Sequence, residues 1–219
     1  MNLIDLHMHT FFSDGVLSPA ELVYRCSLKG LSALALTDHV DYSNMEHVIG
    51  GALRSSYELS RRYNIKVIAG VELTYVPPDD IKNMVGRARE LGAALVVVHG
   101  ETVAESVPPG TNIEAVRAGC DILAHPGILT PQQAEEAAKR NVYIELTTRR
   151  GHRDANPRVA REALKKGCRL IVNTDTHSPG DILDQEKAYN VMRQCGLDKD
   201  SYVTMLNNSA GMVEKIWRQ

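Results

Sequence analysis

Two histidines one residue apart, His7 and His9, open a series of side chains that could hold a metal ion. On an extended segment, i,i+2 spacing sends both rings to the same side, where they can grip one ion. Asp14 follows on a turn made of Ser13, Asp14 and Gly15. Then come His39 beside Asp38, Glu72, His99, His125, and finally Asp175 with His177. Imidazole nitrogens and carboxylate oxygens are the donors that zinc, manganese and iron accept. At roughly four to six ligands per ion, this donor set predicts two or three divalent transition-metal ions. A closed structural site would need fewer ligands and leave no open position, so the surplus predicts catalysis. The chemistry would be a water made acidic by the ions and a phosphoryl group clamped between them.

These residues span positions 7 to 177, so the fold must gather them. Short apolar runs predict strands at 2–7, 32–37, 66–73, 94–99, 121–124, 142–146 and 169–173. The runs at 93–98 and 170–172 lack polar alternation, as strands buried on both faces of a parallel sheet do. Helix signals fill the gaps. Ser18, Pro19 and Glu21 read as an N-cap, a first-turn proline and an acidic first turn, and Gly30 as the stop. The pattern recurs from Thr130-Pro131 to Arg140 and from Asn156-Pro157 to Lys166-Gly167, and residues 198–218 add a last helix.

Alternating strands and helices predict an α/β fold with right-handed crossovers, either a doubly wound sheet or a barrel. Six of the eight histidines, His7, His9, His39, His99, His125 and His177, fall at or just beyond a predicted strand end. In a parallel barrel those ends share one face, which is where the βα loops build active sites. Convergence of the whole set on one rim follows.

The bulk numbers exclude several classes. The 219 residues suffice for one sizeable core, and no linker or low-complexity segment divides them. Twenty-five basic against 27 acidic side chains give −2, with no broad footprint for nucleic acid or a membrane surface. No run approaches the roughly 18–20 apolar residues of a membrane helix. Cys26, Cys120, Cys168 and Cys195 are far apart and form no CxxC pair, which predicts free thiols in a reducing compartment. With no signal-peptide pattern at the start, a cytoplasmic protein is expected.

Taken in order, Asp5-Leu6-His7-Met8-His9-Thr10, Ser13-Asp14-Gly15, Thr37-Asp38-His39, Gly70-Val71-Glu72, His99, Ala124-His125-Pro126 and Asn173-Thr174-Asp175-Thr176-His177-Ser178 resemble the PHP family (polymerase and histidinol phosphatase). The resemblance covers nearly the whole chain as a single PHP domain, 1–219. It implies a distorted, TIM-like (β/α)7 barrel with a trinuclear metal centre at the strand C-termini. His7, His9, Glu72 and Asp175 would hold one ion. Asp14, His39 and His177 would hold a second, and Glu72 would bridge to a third on His99 and His125. The implied activity is attack of a metal-activated hydroxide on a small phosphomonoester such as L-histidinol phosphate. Asp14 and His177 then stand among the catalytic residues. An aspartate at position 14, where some members have histidine, makes that subsite harder and favours manganese or iron.

The loop after the sixth predicted strand carries Arg149, Arg150, Gly151, His152 and Arg153. Guanidinium groups bind phosphate bidentately, so Arg149 and Arg150, nearest the strand end, are expected to clamp the substrate with His152. Glu145, just before them, is expected to anchor this loop, and His47 to lie on the surface near a helix start. Two other readings compete. A nucleoside 3′,5′-bisphosphate phosphatase or exonuclease would need stacking aromatics and a basic track, and aromatics are 5% of the chain. A non-catalytic metal-binding module would more readily have lost some of the ligands. The expected partner is a small-molecule phosphoester, with nucleic acid and membrane disfavoured and a homo-oligomer left open.

Overall fold

The computed structural model describes residues 3–218. In chain order these form β1 (Leu3–Asp5), α1 (Pro19–Leu28), β2 (Leu31–Leu36), β3 (His39–Val40), α2 (Met45–Tyr63), β4 (Lys66–Leu73), α3 (Ile81–Glu90) and β5 (Leu95–His99). There follow α4 (Thr111–Ala118), β6 (Ile122–Ala124), α5 (Pro131–Arg140), β7 (Tyr143–Thr147), α6 (Asn156–Lys165), β8 (Leu170–Asn173), α7 (Gln185–Gln194) and α8 (Lys199–Trp217).

Every strand pairing is parallel, in the order β1-β2-β4-β5-β6-β7-β8. Beyond β8 the chain returns to β1 through a parallel bridge between Met8 and Thr176, where His9 N–H donates to the Thr176 carbonyl at 2.8 Å. The sheet is thus a nearly closed barrel of seven strands, with the short β3 added beside β4.

Side-chain alternation divides the apolar residues into two layers. Ile4, Leu6, Ala33, Ala35, Ile68, Leu95, Val97, Ile122, Ala124 and Ile171 form an inner cluster, which Met212 and Val213 of α8 join. A larger cluster, including Leu34, Leu36, Val96, Val98 and Val172, packs with residues of the surrounding helices. Each fully buried aliphatic side chain contributes roughly 1.5–3 kcal/mol, so this shell is rigid enough to fix the strand ends.

Two helix starts follow the sequence closely. Ser18 accepts from Glu21 N–H, and Thr130 forms a reciprocal capping box with Gln133. Three details differ. The strand expected at 2–7 spans Leu3–Asp5; Asn2 lies outside the described residues, and Leu6 N–H already turns to the Asn173 side chain at 2.9 Å. The two-residue β3 is too short to leave a periodic signal. Asn156, expected to cap α6, lies inside it after a 3₁₀ turn at Arg153–Ala155. Its amide instead braces the end of β7, accepting from Thr147 N–H and donating to the Thr147 carbonyl at 2.8 Å.

Cys26, Cys120 and Cys168 are buried, Cys195 is half-buried, and all four are free. No helix among the described residues is long and apolar enough to cross a membrane.

Candidate metal centre

Parallel register brings the candidate ligands together. His39 on β3 pairs with Glu72 on β4, Glu72 pairs with Val97 two residues before His99, and His99 on β5 pairs with Ala124 just before His125. His7 and His9 leave the end of β1 toward the same point, while Met8 between them enters the outer core. Asp175 and His177 arrive from the loop after β8. His125 and Asp175 have positive φ values of 25° and 54°. Non-glycine residues held there cost energy that only a well-determined surrounding supports, a feature that concentrates at functional sites.

Glu72 stands at the middle and is fully buried. Its oxygens lie 3.3 Å from His7 Nε2, 3.4 Å from His9 Nε2, 3.3 Å from His99 Nδ1 and 3.5 Å from His125 Nε2. His39 Nδ1 is 2.8 Å away, yet no well-aligned hydrogen bond reaches either oxygen. Asp175 Oδ1 lies 3.1 Å from His9 Nε2 and 3.8 Å from His7 Nε2. His177 Nε2 is 3.0 Å from Asp14 Oδ2.

Hydrogen bonds on the far side of three rings settle which nitrogen points inward. His7 Nδ1 donates to Glu145 Oε2 at 2.8 Å, His99 Nε2 to the Glu105 carbonyl at 3.1 Å, and His177 Nδ1 to the Asp175 carbonyl at 2.9 Å. The acceptors are a carboxylate oxygen and two carbonyls, so those nitrogens are assigned the proton. The remaining nitrogens then present lone pairs to Glu72 or Asp14 oxygens, an arrangement that repels unless a cation lies between. His7 Nε2, His9 Nε2, His99 Nδ1, both His125 nitrogens, both Glu72 oxygens and Asp175 Oδ1 are all buried without a hydrogen-bond partner. Orphaned donors of these types, pointing at one another, fit divalent metal ions.

In the metal-free protein, protons substitute in part. Burial opposes charge on His7, but Glu145, Glu72 and Asp175 hold its pKa well above the usual imidazole value. Burial likewise opposes charge on His39, and Glu72 raises it to about 9. Burial pushes Glu72 up, while His7, His39 and His99 hold it well below the usual carboxylate range. His9 is pushed down to about 3 by burial and the neighbouring His39.

Four groups of donors converge within 4.8 Å: His7, His9 and Asp175; His9, Asp14, His39 and His177; His39, Glu72 and His99; and His7, His125 and Glu145. All nine expected ligands fall within them. The grouping differs from the implied partition, because His9 faces two groups and His125 stands with Glu145 rather than with His99. Asp14 is 49% exposed whereas the Glu72 and Asp175 side chains are 0% and 3% exposed, so the centre opens to solvent on the Asp14 side.

The arginine loop divides. Arg149 reaches the centre, its NH1 donating to the Asp175 carbonyl at 3.2 Å and its Nε lying 3.4 Å from Asp175 Oδ2. Arg150 is exposed and faces a separate cleft. His152 is buried with its ring 4.5 Å from that of His125, and its Nδ1 hydrogen-bonds Thr102 at 2.8 Å. Burial and His125 push it down to about 3, so it is a neutral group and not a cationic clamp.

Glu145 does not anchor the arginine loop: its Oε2 binds His7 and the Asn173 amide. Its place at a strand end, like that of Glu72, was the available signal. Asp38 orients no ring; it accepts from the Thr10 backbone and hydroxyl and from the Ser13 hydroxyl, fixing the loop that carries Asp14. His47 is exposed on α2, as expected.

A nearly closed parallel barrel with histidines and carboxylates gathered at its strand C-termini defines a class of metal-dependent hydrolase folds. The PHP domain matches residues 5–195, and the chain belongs to the PHP family. It is 43% identical to the uncharacterized protein MJ1295 of Methanocaldococcus jannaschii, over 97% of this chain and 99% of that one. A probable phosphatase of Acetivibrio thermocellus is 26% identical over 88% of this chain and 86% of that one. Among solved structures, a chain of archaeal ribonuclease P with mature tRNA superposes with a TM-score of 0.73 at 14% identity, covering 98% of this chain and 91% of that one. The histidinol phosphate phosphatase of Lactococcus lactis, complexed with zinc, L-histidinol and phosphate, gives 0.64 at 16% identity, covering 89% and 94%. At these identities the two structures bear on the fold.

Proposed function

We propose that this protein hydrolyses small phosphomonoesters with two or three divalent transition-metal ions held by His7, His9, Asp14, His39, Glu72, His99, His125, Asp175 and His177. The observation that carries the reading is Glu72, a buried carboxylate with no aligned hydrogen bond inside a ring of five imidazoles. Such a group would be a ligand for divalent cations, since a buried carboxylate left unpaired costs the fold free energy. Kinship with a probable phosphatase supports the choice of phosphoester over other hydrolysable bonds.

Bound ions would supply an acidified water and charge neutralisation. The chain's own residues do the rest. Arg149, held on Asp175, is positioned to bind a phosphoryl oxygen at the edge of the centre. Asp14, on the solvent side, lies where substrate and water enter. His152, neutral and fixed by Thr102, can exchange hydrogen bonds with the substrate without adding charge.

The test is to load the purified protein separately with zinc, manganese and iron and assay phosphate release from a panel including histidinol phosphate, phosphotyrosine and sugar phosphates. Release under at least one metal is expected. Silence of the whole panel under every metal would sink the proposal.

A further inference from the structure

The face of the barrel opposite the metal centre holds a cavity of about 570 Å³. It opens where the chain enters its later strands: Ala94 precedes β5, Asp121 precedes β6, Tyr143 begins β7 and Arg169 precedes β8. Helix α8 crosses beside them and supplies the remaining wall. We propose that this cavity binds a small organic anion with an apolar body and at least two negative charges, held away from the metals and not hydrolysed. The proposal is independent of the phosphatase reading.

Charge is the first argument. Arg89, Arg140, Arg169 and Lys215 line the cavity against one carboxylate, Asp121. That carboxylate is already engaged, since Asp121 Oδ2 accepts from Val96 N–H at 2.8 Å and from Arg89 at 3.1 Å. Arg140 is drawn to Glu136 on its own helix. Arg169 and Lys215 form no ion pair among the described residues, and both are exposed. Helix dipoles favour cations in a last turn, which accounts for Arg89, Arg140 and Lys215. Arg169 lies between α6 and β8, outside any helix, and has no such reason. It is steadied by a neutral partner instead: Tyr143 Oη accepts from its NH1 at 3.2 Å, and its Cζ lies 5.6 Å from the Tyr143 ring centroid. A guanidinium held this way keeps its charge for an external anion and loses little freedom on binding it.

Gly211 carries the second argument. It lies inside the 19-residue α8, where glycine weakens a helix relative to alanine. Crowding does not call for it, because a Cβ there would meet nothing within 4 Å. The open space is the cavity itself, so the missing side chain leaves room for an occupant to settle against the helix. On either side, Met212 and Ile216 with the ring of Tyr143 offer that occupant an apolar wall. Met212 also joins the inner barrel cluster, so the wall is backed by the core.

Size is the third. Sites for small organic ligands run from about 300 to 1,000 Å³, and 570 Å³ falls within that range.

Calorimetric titration of the metal-free protein tests this with three anions. Adenosine 5′-diphosphate and isophthalate each join two or more charges to an aromatic body, through phosphate in one and carboxylate in the other. At least one should bind, and which one does identifies the anionic group. Pyrophosphate has the charge without the body and should bind at least about tenfold more weakly. Arg169→Glu should lower affinity at least about tenfold by reversing a charge-assisted contact. Gly211→Leu should do the same by filling the space. Both positions are exposed, so both variants should fold, with circular dichroism as the check. Arg153→Glu makes the same charge change beside the loop after β8, on the metal side, and should leave binding unaltered. Binding of none of the three anions, equal binding by Arg169→Glu or Gly211→Leu, or a loss confined to Arg153→Glu would overturn the proposal and leave the phosphatase reading intact.

Discussion

His7 donates its Nδ1 proton to Glu145 Oε2 across 2.8 Å, and that oxygen also receives the side-chain amide of Asn173. The bond fixes the tautomer of a fully buried ring and leaves Nε2 to face Glu72 and Asp175. A carboxylate behind a metal-bound imidazole tunes its basicity and orientation. Glu145→Gln keeps the size and an acceptor but loses the charge. It should lower metal affinity roughly 10–100-fold without changing the number of ions bound at saturation. Chelator competition with elemental analysis checks both quantities. Loss of one whole equivalent would show instead that Glu145 is a ligand, as its grouping with His7 and His125 permits.

His9 faces two donor groups, one with His7 and Asp175 and one with Asp14, His39 and His177, whereas Asp14 belongs to the second only. His9→Ala should therefore release more metal than Asp14→Ala, and Asp175→Ala should abolish turnover. Bound metal counted in folded protein, with circular dichroism as the check on folding, decides this. Equal losses in His9→Ala and Asp14→Ala would contradict the shared position of His9.

Metal binding should release protons. His39 has its pKa raised to about 9, so at pH 7 the metal-free ring is protonated and must lose that proton to ligate. Affinity should climb with pH up to about 9, by about a decade per pH unit for each proton displaced. For stability the sign runs the other way. A histidine pKa raised on folding contributes stability that is complete below its unfolded value near 6.5 and is lost as pH rises through about 9. Chelated protein should therefore melt progressively lower from pH 6.5 to 9, and metal-loaded protein should not follow it. Parallel melting curves would refute this.

Gly15 closes the turn that carries Asp14, and a Cβ there would lie 2.5 Å from the His9 carbonyl oxygen, a backbone atom that cannot swing away. Gly15→Ala should cost roughly 1–3 kcal/mol in urea denaturation and also weaken metal retention. Gly86→Ala, on α3 with open space around its Cβ, is the matching control and should be neutral or slightly stabilising.

The convergence of the candidate residues was legible because parallel strands place their C-termini on one rim, so that His125 and Asp175, each just after a strand, become neighbours at 3.7 Å without any contact being known. Helix starts at Ser18 and Thr130 were legible because capping chemistry is local. Choices made between distant segments were not. Glu145 could serve its own loop or His7, and only the closing of β8 toward β1 decides for His7. The inward turn of His152 depends on Thr102, fifty positions away. Arg149 and Arg150 are adjacent in sequence and line the same cleft, yet only Arg149 also reaches Asp175, a matter of rotamer and loop path that spacing does not encode.

On the proposed function, the clustered donors hold catalytic ions. The most direct measurement is phosphate release as a function of metal added to metal-free protein, with bound ions counted at each point in wild type and Asp175→Ala. Activity should rise with occupancy, reach a plateau at two or three ions per chain, and be absent from the variant throughout. A fully loaded wild type that releases no phosphate, or an Asp175→Ala protein that matches it, would contradict the account.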